Sequence, residues 1–220
     1  MKTAEYEISI ERVAKYLGQK VVSEVFIELY EQAKKEVLEQ AMPKTLCLVC
    51  QAEQQAGFYF LKELGITLKS NDVNKLFYRC DKIAVLATTI GAKIDKTISA
   101  YQQTDMLMST FMDACASVLV EEVSEKLKKD LIKQFPQYHT TMSYSPGYGD
   151  LGLEMQGELI EKLQAEKLIG VRTNEQHLMI PLKSITAFVG LSSEPQVFCD
   201  TCLSCKLKGQ CRVECNKVKI

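Results

Sequence analysis

The chain has no tryptophan, only two histidines, only five prolines, and no surplus of either charge. Each shortage excludes something. With 27 basic and 28 acidic side chains and a net charge of −1, the sequence lacks the positive footprint of a general nucleic-acid binder. No apolar run approaches the roughly 20 residues that span a bilayer, so no membrane segment is expected. The opening, MKTAEYEISIERV, is acidic and polar where a secretory signal is basic and then apolar. The expectation is therefore a soluble, cytoplasmic protein. His139 and His177 have no cysteine or acidic partner at ligand spacing, so neither an HExxH zinc site nor a hydrolase triad is in view. G-x-S-x-G, G-x-G-x-x-G and Walker patterns are missing as well.

Cysteine, by contrast, is plentiful. There are 9, an odd number, and five fall in a tail reading Cys199, Cys202, Cys205, Cys211, Cys215, or C-x2-C-x2-C-x5-C-x3-C. Consecutive C-x2-C units put thiolates on one tight turn, as needed to hold a single metal ion or cluster. Zinc takes four ligands and leaves one cysteine over; an iron–sulfur cluster suits the C-x2-C-x2-C run. The spacing leaves both open. Cys47 and Cys50 lie in an alternating apolar run after Pro43 and read as thiols of a buried strand, while Cys80 and Cys115 read as packing residues.

The rest of the chain alternates helical and extended periods. Residues 9–40 are helical, with a short helix opening at Ser9 and a longer one after Ser23. In the longer helix Val25, Phe26, Leu29, Ala33, Val37 and Leu38 form one apolar face. Strands are expected at 45–51, 57–61, 66–69 and 82–90, with a short helix at 71–78. The near-continuous apolar run of 82–90 predicts a strand covered on both faces. Helical pattern runs from Lys93 to about Gln134 with a break near Thr104, and its greasy stretch from Met106 to Val120 marks the central core helix, with Met106, Met108 and Met112 as packing residues. After Pro136 come a polar loop at 137–150, a helix at 153–168, and strands within 170–191. The implied fold class is α+β: a single domain at 1–193, a mixed or antiparallel sheet with long core helices, followed by a short cysteine-rich tail at 194–220.

The loop between the last two helices reads Tyr144-Ser145-Pro146-Gly147-Tyr148-Gly149-Asp150. Pro146-Gly147 fits the central positions of a type II turn, with Asp150 as a helix N-cap. Two tyrosines flanking two glycines also let a backbone approach a ligand while aromatic faces line it, and such faces favour a cationic group.

SPGYGD, followed by a helix and the Met179-to-Leu191 segment of pattern MxPxKSxTAxxGL, resembles the activation domain of cobalamin-dependent methionine synthase in its free-standing form. VAKYLG at 13–18, ATTIGAKIDKTI at 87–98 and DACASVLVEEV at 113–123 agree in order. The resemblance covers most of residues 9–191; the cysteine tail is not part of it.

The resemblance implies an S-adenosylmethionine site serving reductive methylation of oxidised cobalamin on a partner, either methionine synthase or another corrinoid methyltransferase. An electron donor such as flavodoxin or ferredoxin would supply the electron. It assigns ligand contact to Tyr144, Ser145, Pro146, Gly147, Tyr148 and Gly149, with backbone amides near Gly147 and Gly149 meeting the ligand carboxylate. Glu121 and Glu122 either counter the ligand's positive charge or form a solvated acidic step. Ser184 and Thr186 either line the cleft or are ordinary strand residues. The family pattern R-x-x-x-G-Y falls here with Ser143 in the arginine position, and Arg172 and Lys183 are the candidates to replace its charge. No D-x-H-x-x-G corrinoid-carrier motif is present, so no cobalamin is expected to reside on this chain. No catalytic nucleophile is implied. The alternative is a redox or assembly module, carrying iron–sulfur or zinc at the tail and binding no methyl donor.

Overall fold

A computed structural model describes residues 3–195. The tail cysteines Cys199, Cys202, Cys205, Cys211 and Cys215 lie outside the described residues. Ser9 opens α1 (Ile10–Tyr16), its hydroxyl accepting from the Arg12 amide, and Ser23 opens α2 (Glu24–Gln40) by accepting from Phe26. On α2 the inward stripe is Phe26, Tyr30, Ala33 and Val37. Val25, expected on that stripe, is exposed, because it sits one residue off the helical period.

The strands are β1 (Lys44–Gln55), β2 (Phe58–Leu61) and β3 (Ile66–Leu68), then β4 (Lys82–Thr89) after the short helix α3 (Asn71–Leu76). Two helices follow, α4 (Ala92–Thr104) and α5 (Met106–Gln134), separated at Asp105, whose carboxylate caps α5 through the Met108 amide at 2.9 Å. Next come β5 (His139–Thr140), α6 (Met155–Lys162), α7 (Ala165–Ile169), β6 (Arg172–Thr173), β7 (Met179–Ile180) and β8 (Ser184–Ser192). Six strands form one antiparallel sheet in the order β3-β2-β1-β4-β8-β5, and β6 and β7 pair as a separate ribbon.

β4 runs through the middle and is buried from Ile83 to Thr89, as a doubly covered strand must be. On one face Ala84, Leu86, Val189 and Leu191 pack against Leu127 and Leu131 of α5. On the other, Ile83, Val85 and Phe188 meet Tyr59, Phe77 and Leu159. The first half of α5 is surrounded by α1, α2 and α4, which is why Met108, Phe111, Met112, Cys115 and Leu119 tolerate no polar side. Met106, at the first turn, is exposed instead of packed, since the helical layer does not cover that end. No helix among the described residues is long and apolar enough to cross a membrane.

Further expectations change. Cys47 and Cys50, three apart on a strand, face opposite ways, so Cys50 is buried and Cys47 is exposed. Burial pushes the thiols of Cys50, Cys80 and Cys115 up to about 12, which keeps them neutral packing groups. The 137–150 segment is not all loop, because β5 and an isolated bridge from Tyr144 to Phe188 run along β8. The helix expected at 153–168 is two helices, broken where Gln164 adopts a left-handed conformation at φ 52°. Within 170–191 the apolar run His177-Leu178-Met179-Ile180, expected to be extended throughout, is a strand only at Met179–Ile180, since His177 turns the chain at φ 61°.

Candidate functional site

The 144–150 loop is built off the edge of β8 that also carries β5. Tyr144 exchanges both backbone hydrogen bonds with Phe188, at 2.9 and 2.7 Å, and one step along the Ser145 hydroxyl donates to the Thr186 carbonyl at 2.7 Å. The chain then turns: the Tyr148 amide donates to the Ser145 carbonyl at 3.0 Å with Gly147 at φ 87°, the positive value a type II turn requires at its third residue. A second turn returns Leu151, whose carbonyl accepts from the Gly147 amide at 2.8 Å.

Tyr144 is the post around which the loop winds. Its ring is buried, and its hydroxyl donates to the Tyr148 carbonyl at 2.9 Å beside the Asp72 carboxylate. Burial and the charges of Asp72 and Asp150 push its phenol up to about 12, so it stays a neutral donor. Tyr148 packs edge-to-face on it, ring centres 5.9 Å apart, yet remains 57% exposed. That ring offers an open aromatic face to solvent.

Asp150 does not cap the helix that follows it. Its carboxylate instead caps α3, accepting from the Ser70 hydroxyl, from the Asn71 amide at 2.7 Å and from the Asp72 amide at 3.3 Å. Burial alone would raise its pKa; those hydrogen bonds outweigh it and hold the carboxyl below its ordinary value.

A row of polar residues at four-residue spacing runs down α5. Asp113 takes the Lys183 ammonium at 2.8 Å, Ser117 shares it at 2.9 Å, and Glu121 takes the Arg12 guanidinium at 2.5 Å and the Tyr16 hydroxyl. Arg12 also pairs with Glu122. Burial first, and the bond to Glu121 second, drive the Tyr16 phenol well above its usual range, and Tyr148 adds to this. α1 and α5 are therefore tied together through Arg12 and Tyr16.

The sequence matches, over residues 27–201, the family described as vitamin B12 dependent methionine synthase, activation domain. The chain belongs to that family. Among solved structures it is similar to the MetH reactivation domain bound to AdoHcy, with 17% sequence identity, a TM-score of 0.64, and coverage of 88% of this chain and 79% of that one. At that identity the likeness is one of fold. No curated protein sequence matches.

Within this activation domain, the candidate residues divide by what their atoms are already doing. Tyr148 stands on the loop's exposed side, Ser145 is tied to β8 through its hydroxyl, and Gly147 and Gly149 allow the tight winding. Pro146 is buried beneath the turn, and the Gly147 amide is spent on Leu151 and does not wait for a carboxylate. Tyr144 supports the loop from within. Glu121 is held by Arg12 and the Tyr16 hydroxyl, and no contact joins it to the loop among the described residues. Ser184 does not join them: it is buried at the start of β8, donating to the Pro181 carbonyl at 2.7 Å and bonded to Thr89 at 2.9 Å. Thr186 is likewise turned inward, onto Gln156 at 3.0 Å. Of the two cations considered for the charge absent at Ser143, Arg172 is exposed on the separate ribbon and Lys183 is held by α5. Arg12 was not singled out from the sequence, although it precedes Tyr16 of the VAKYLG motif by one helical turn. Among the described residues no group of three or more His, Cys, Asp or Glu is placed to hold a metal ion.

Replacing Asp150 by Ala should cost about 0.5–2 kcal/mol, the usual value of a lost cap. Because its folded-state pKa is depressed, its contribution is present above the ordinary carboxyl value of about 4 and disappears as pH falls through the lowered one. Thermal melts should therefore separate wild type from Asp150→Ala at neutral pH and bring them together as the pH falls well below the ordinary carboxyl value. A constant gap across that range would show that the carboxylate is not the anchor.

Proposed function

We propose that this chain binds S-adenosylmethionine beside the 144–150 loop and presents its methyl group to the cobalamin of a corrinoid methyltransferase, methionine synthase first among them. The observation that carries this reading is the family match, which runs through the loop, α5 and β8. A neighbour in fold solved with AdoHcy, the demethylated form of such a donor, supports the ligand class. The exposed ring of Tyr148 suits a sulfonium or adenine, and the acidic residues of α5 suit a cation.

The chemistry asked of this chain is positioning. One electron from a flavodoxin- or ferredoxin-class donor takes cobalt(II) to cobalt(I). The cobalt electron pair then attacks the sulfonium methyl carbon; a cobalt–carbon bond forms, the sulfur–carbon bond breaks, and its electrons stay on sulfur as S-adenosylhomocysteine. No proton moves and no side chain acts as nucleophile. Holding the methyl carbon in line with cobalt converts an encounter into an oriented reaction, the main lever open to a domain with these residues.

The test is calorimetric titration with S-adenosylmethionine, followed by mixing the chain with an inactive cob(II)alamin methyltransferase, the methyl donor and a reductant. Saturable binding and methylcobalamin formation that depends on the chain are expected. No heat at millimolar ligand rejects the reading. Separately, the spacing of the five tail cysteines supports one bound zinc ion or an iron–sulfur cluster, and metal analysis with a visible spectrum of the intact chain decides it. Metal-free protein after anaerobic purification rejects that part alone.

A further inference from the structure

We propose that Thr186 of β8 is the positioning residue of the 144–150 loop, pinning the segment 145–156 at both of its ends. The inference rests on the ligand reading above and adds what keeps that site in shape. Two hydrogen bonds make the pin. The Thr186 carbonyl accepts from the Ser145 hydroxyl at 2.7 Å, and the Thr186 hydroxyl donates to the Gln156 side-chain carbonyl at 3.0 Å. Entry and exit of the segment are thereby fastened to one residue.

The entry bond follows from the sequence. Tyr144 and Phe188 exchange both main-chain bonds, so an antiparallel ladder would next pair residue 146 with Thr186. Residue 146 is proline and has no N–H to give. The ladder stops there, and the Ser145 hydroxyl supplies the donor that Pro146 lacks. The exit bond closes the turns that follow. The Gly147 amide donates to Leu151, the Leu151 amide to Tyr148 and the Gln156 amide to Leu153, and α6 begins with Gln156 turned onto Thr186.

Stability alone does not call for a glutamine at this place. Gln156 is 2% exposed, and its amide nitrogen is buried without a hydrogen-bond partner among the described residues. A buried donor left unused lowers stability, and an apolar side chain of similar size would avoid that penalty. What the glutamine adds is an acceptor for the Thr186 hydroxyl, which fixes where the segment ends. A local rule broken in this way, next to a candidate site, points to positioning.

The variant Thr186→Val/Gln156→Met removes hydroxyl and amide together and separates positioning from general stability. It should melt at or above the wild-type temperature, because the unused donor is gone. Its loop should nevertheless loosen, with hydrogen exchange at the Gly147 and Leu151 amides about tenfold faster. Calorimetry well below the melt should show S-adenosylmethionine bound about tenfold more weakly, the size of one hydrogen bond. Thr186→Val alone should already show that loss, so that Gln156→Met adds nothing to it. Thr186→Ser keeps hydroxyl and carbonyl and should exchange and bind as wild type does. Wild-type exchange and affinity in the double variant overturn the proposal, as does a Thr186→Ser that behaves like Thr186→Val. A double variant that melts lower, with exchange quickened evenly across the sheet, also overturns it, in favour of general stability. If wild type binds no S-adenosylmethionine, the methyl-donor reading falls, and the loop exchange alone decides whether Thr186 is the pin.

Discussion

Gly149→Ala is expected to lower the melting temperature by roughly 6–12 °C, the equivalent of about 3 kcal/mol for a chain of this size, and to remove measurable S-adenosylmethionine binding. Two costs add. Gly149 sits at φ 52°, and a left-handed residue with a Cβ costs about 1–2 kcal/mol. The added methyl would also overlap the Asp72 carboxylate and the Tyr144 hydroxyl, the two groups around which the loop is wound. Neither is the free end of a flexible chain. Tyr144 is buried, and Asp72 lies in the first turn of α3, which Asp150 caps. Relief would require moving Tyr148, because the Tyr144 hydroxyl holds its carbonyl. Gly147→Ala is the comparison: its φ of 87° is strained too, but a Cβ there meets only the Leu153 side chain at 3.4 Å. It should cost only the conformational part, about 1–2 kcal/mol. Differential scanning calorimetry with ligand titration reads both variants. If Gly149→Ala melts no lower than Gly147→Ala, the close packing of Asp72 and Tyr144 against the loop is not what fixes it.

The architecture was legible where a single physical signal dominated. Ser9 and Ser23 each stand before an apolar helical period, and each does cap a helix. The unbroken apolar run of β4 announced a strand with no wet face, and the greasy first half of α5 announced the centre of the helical layer. The break between α4 and α5 was expected near Thr104 and falls at Asp105. Illegible were features decided by tertiary packing. Nothing in Leu163-Gln164-Ala165 looks like a helix breaker, yet Gln164 turns left-handed there because α7 must reach β1 and β4. Strand alternation said that Cys47 and Cys50 part ways, but not that cover is missing over Cys47.

The site was half legible for the same reason. The loop's chemistry follows from its own letters: proline then glycine for the turn, and tyrosine for the open face. What each side chain does depends on partners far along the chain. Asp150 looked like the cap of the next helix and caps one 79 residues earlier instead. Tyr144 and Tyr148 have equal claims on a ligand in the sequence; only burial assigns one to support and the other to solvent. Ser184 was a cleft candidate because its segment matches the last motif of the family pattern, yet its hydroxyl is used inside the turn that precedes β8. Arg12 had no signal of its own, since its meaning comes from Glu121, 109 residues away.

Phe188→Ala should be the larger loss of stability and the smaller loss of function. Its ring is fully buried between Tyr59, Phe77 and Leu159 on the face of the sheet opposite α5. Truncating a buried phenylalanine costs about 3–5 kcal/mol through lost transfer energy and the cavity left behind. For a chain of this length that is a fall of roughly 6–20 °C in melting temperature. The loop, however, is attached to this residue by main chain: the Phe188 amide and carbonyl both bond to Tyr144. A side-chain deletion leaves those two bonds and the Ser145–Thr186 bond in place. Well below its melting point, Phe188→Ala should therefore bind S-adenosylmethionine as wild type does, whereas Gly149→Ala should not bind it even when folded. The two variants separate the sheet, which sets where the loop is, from the winding around Tyr144, which sets its shape. If Phe188→Ala loses ligand while its circular dichroism and melt stay near wild type, the ring itself, pressing on Tyr144 in the same core, would have to be what positions the loop.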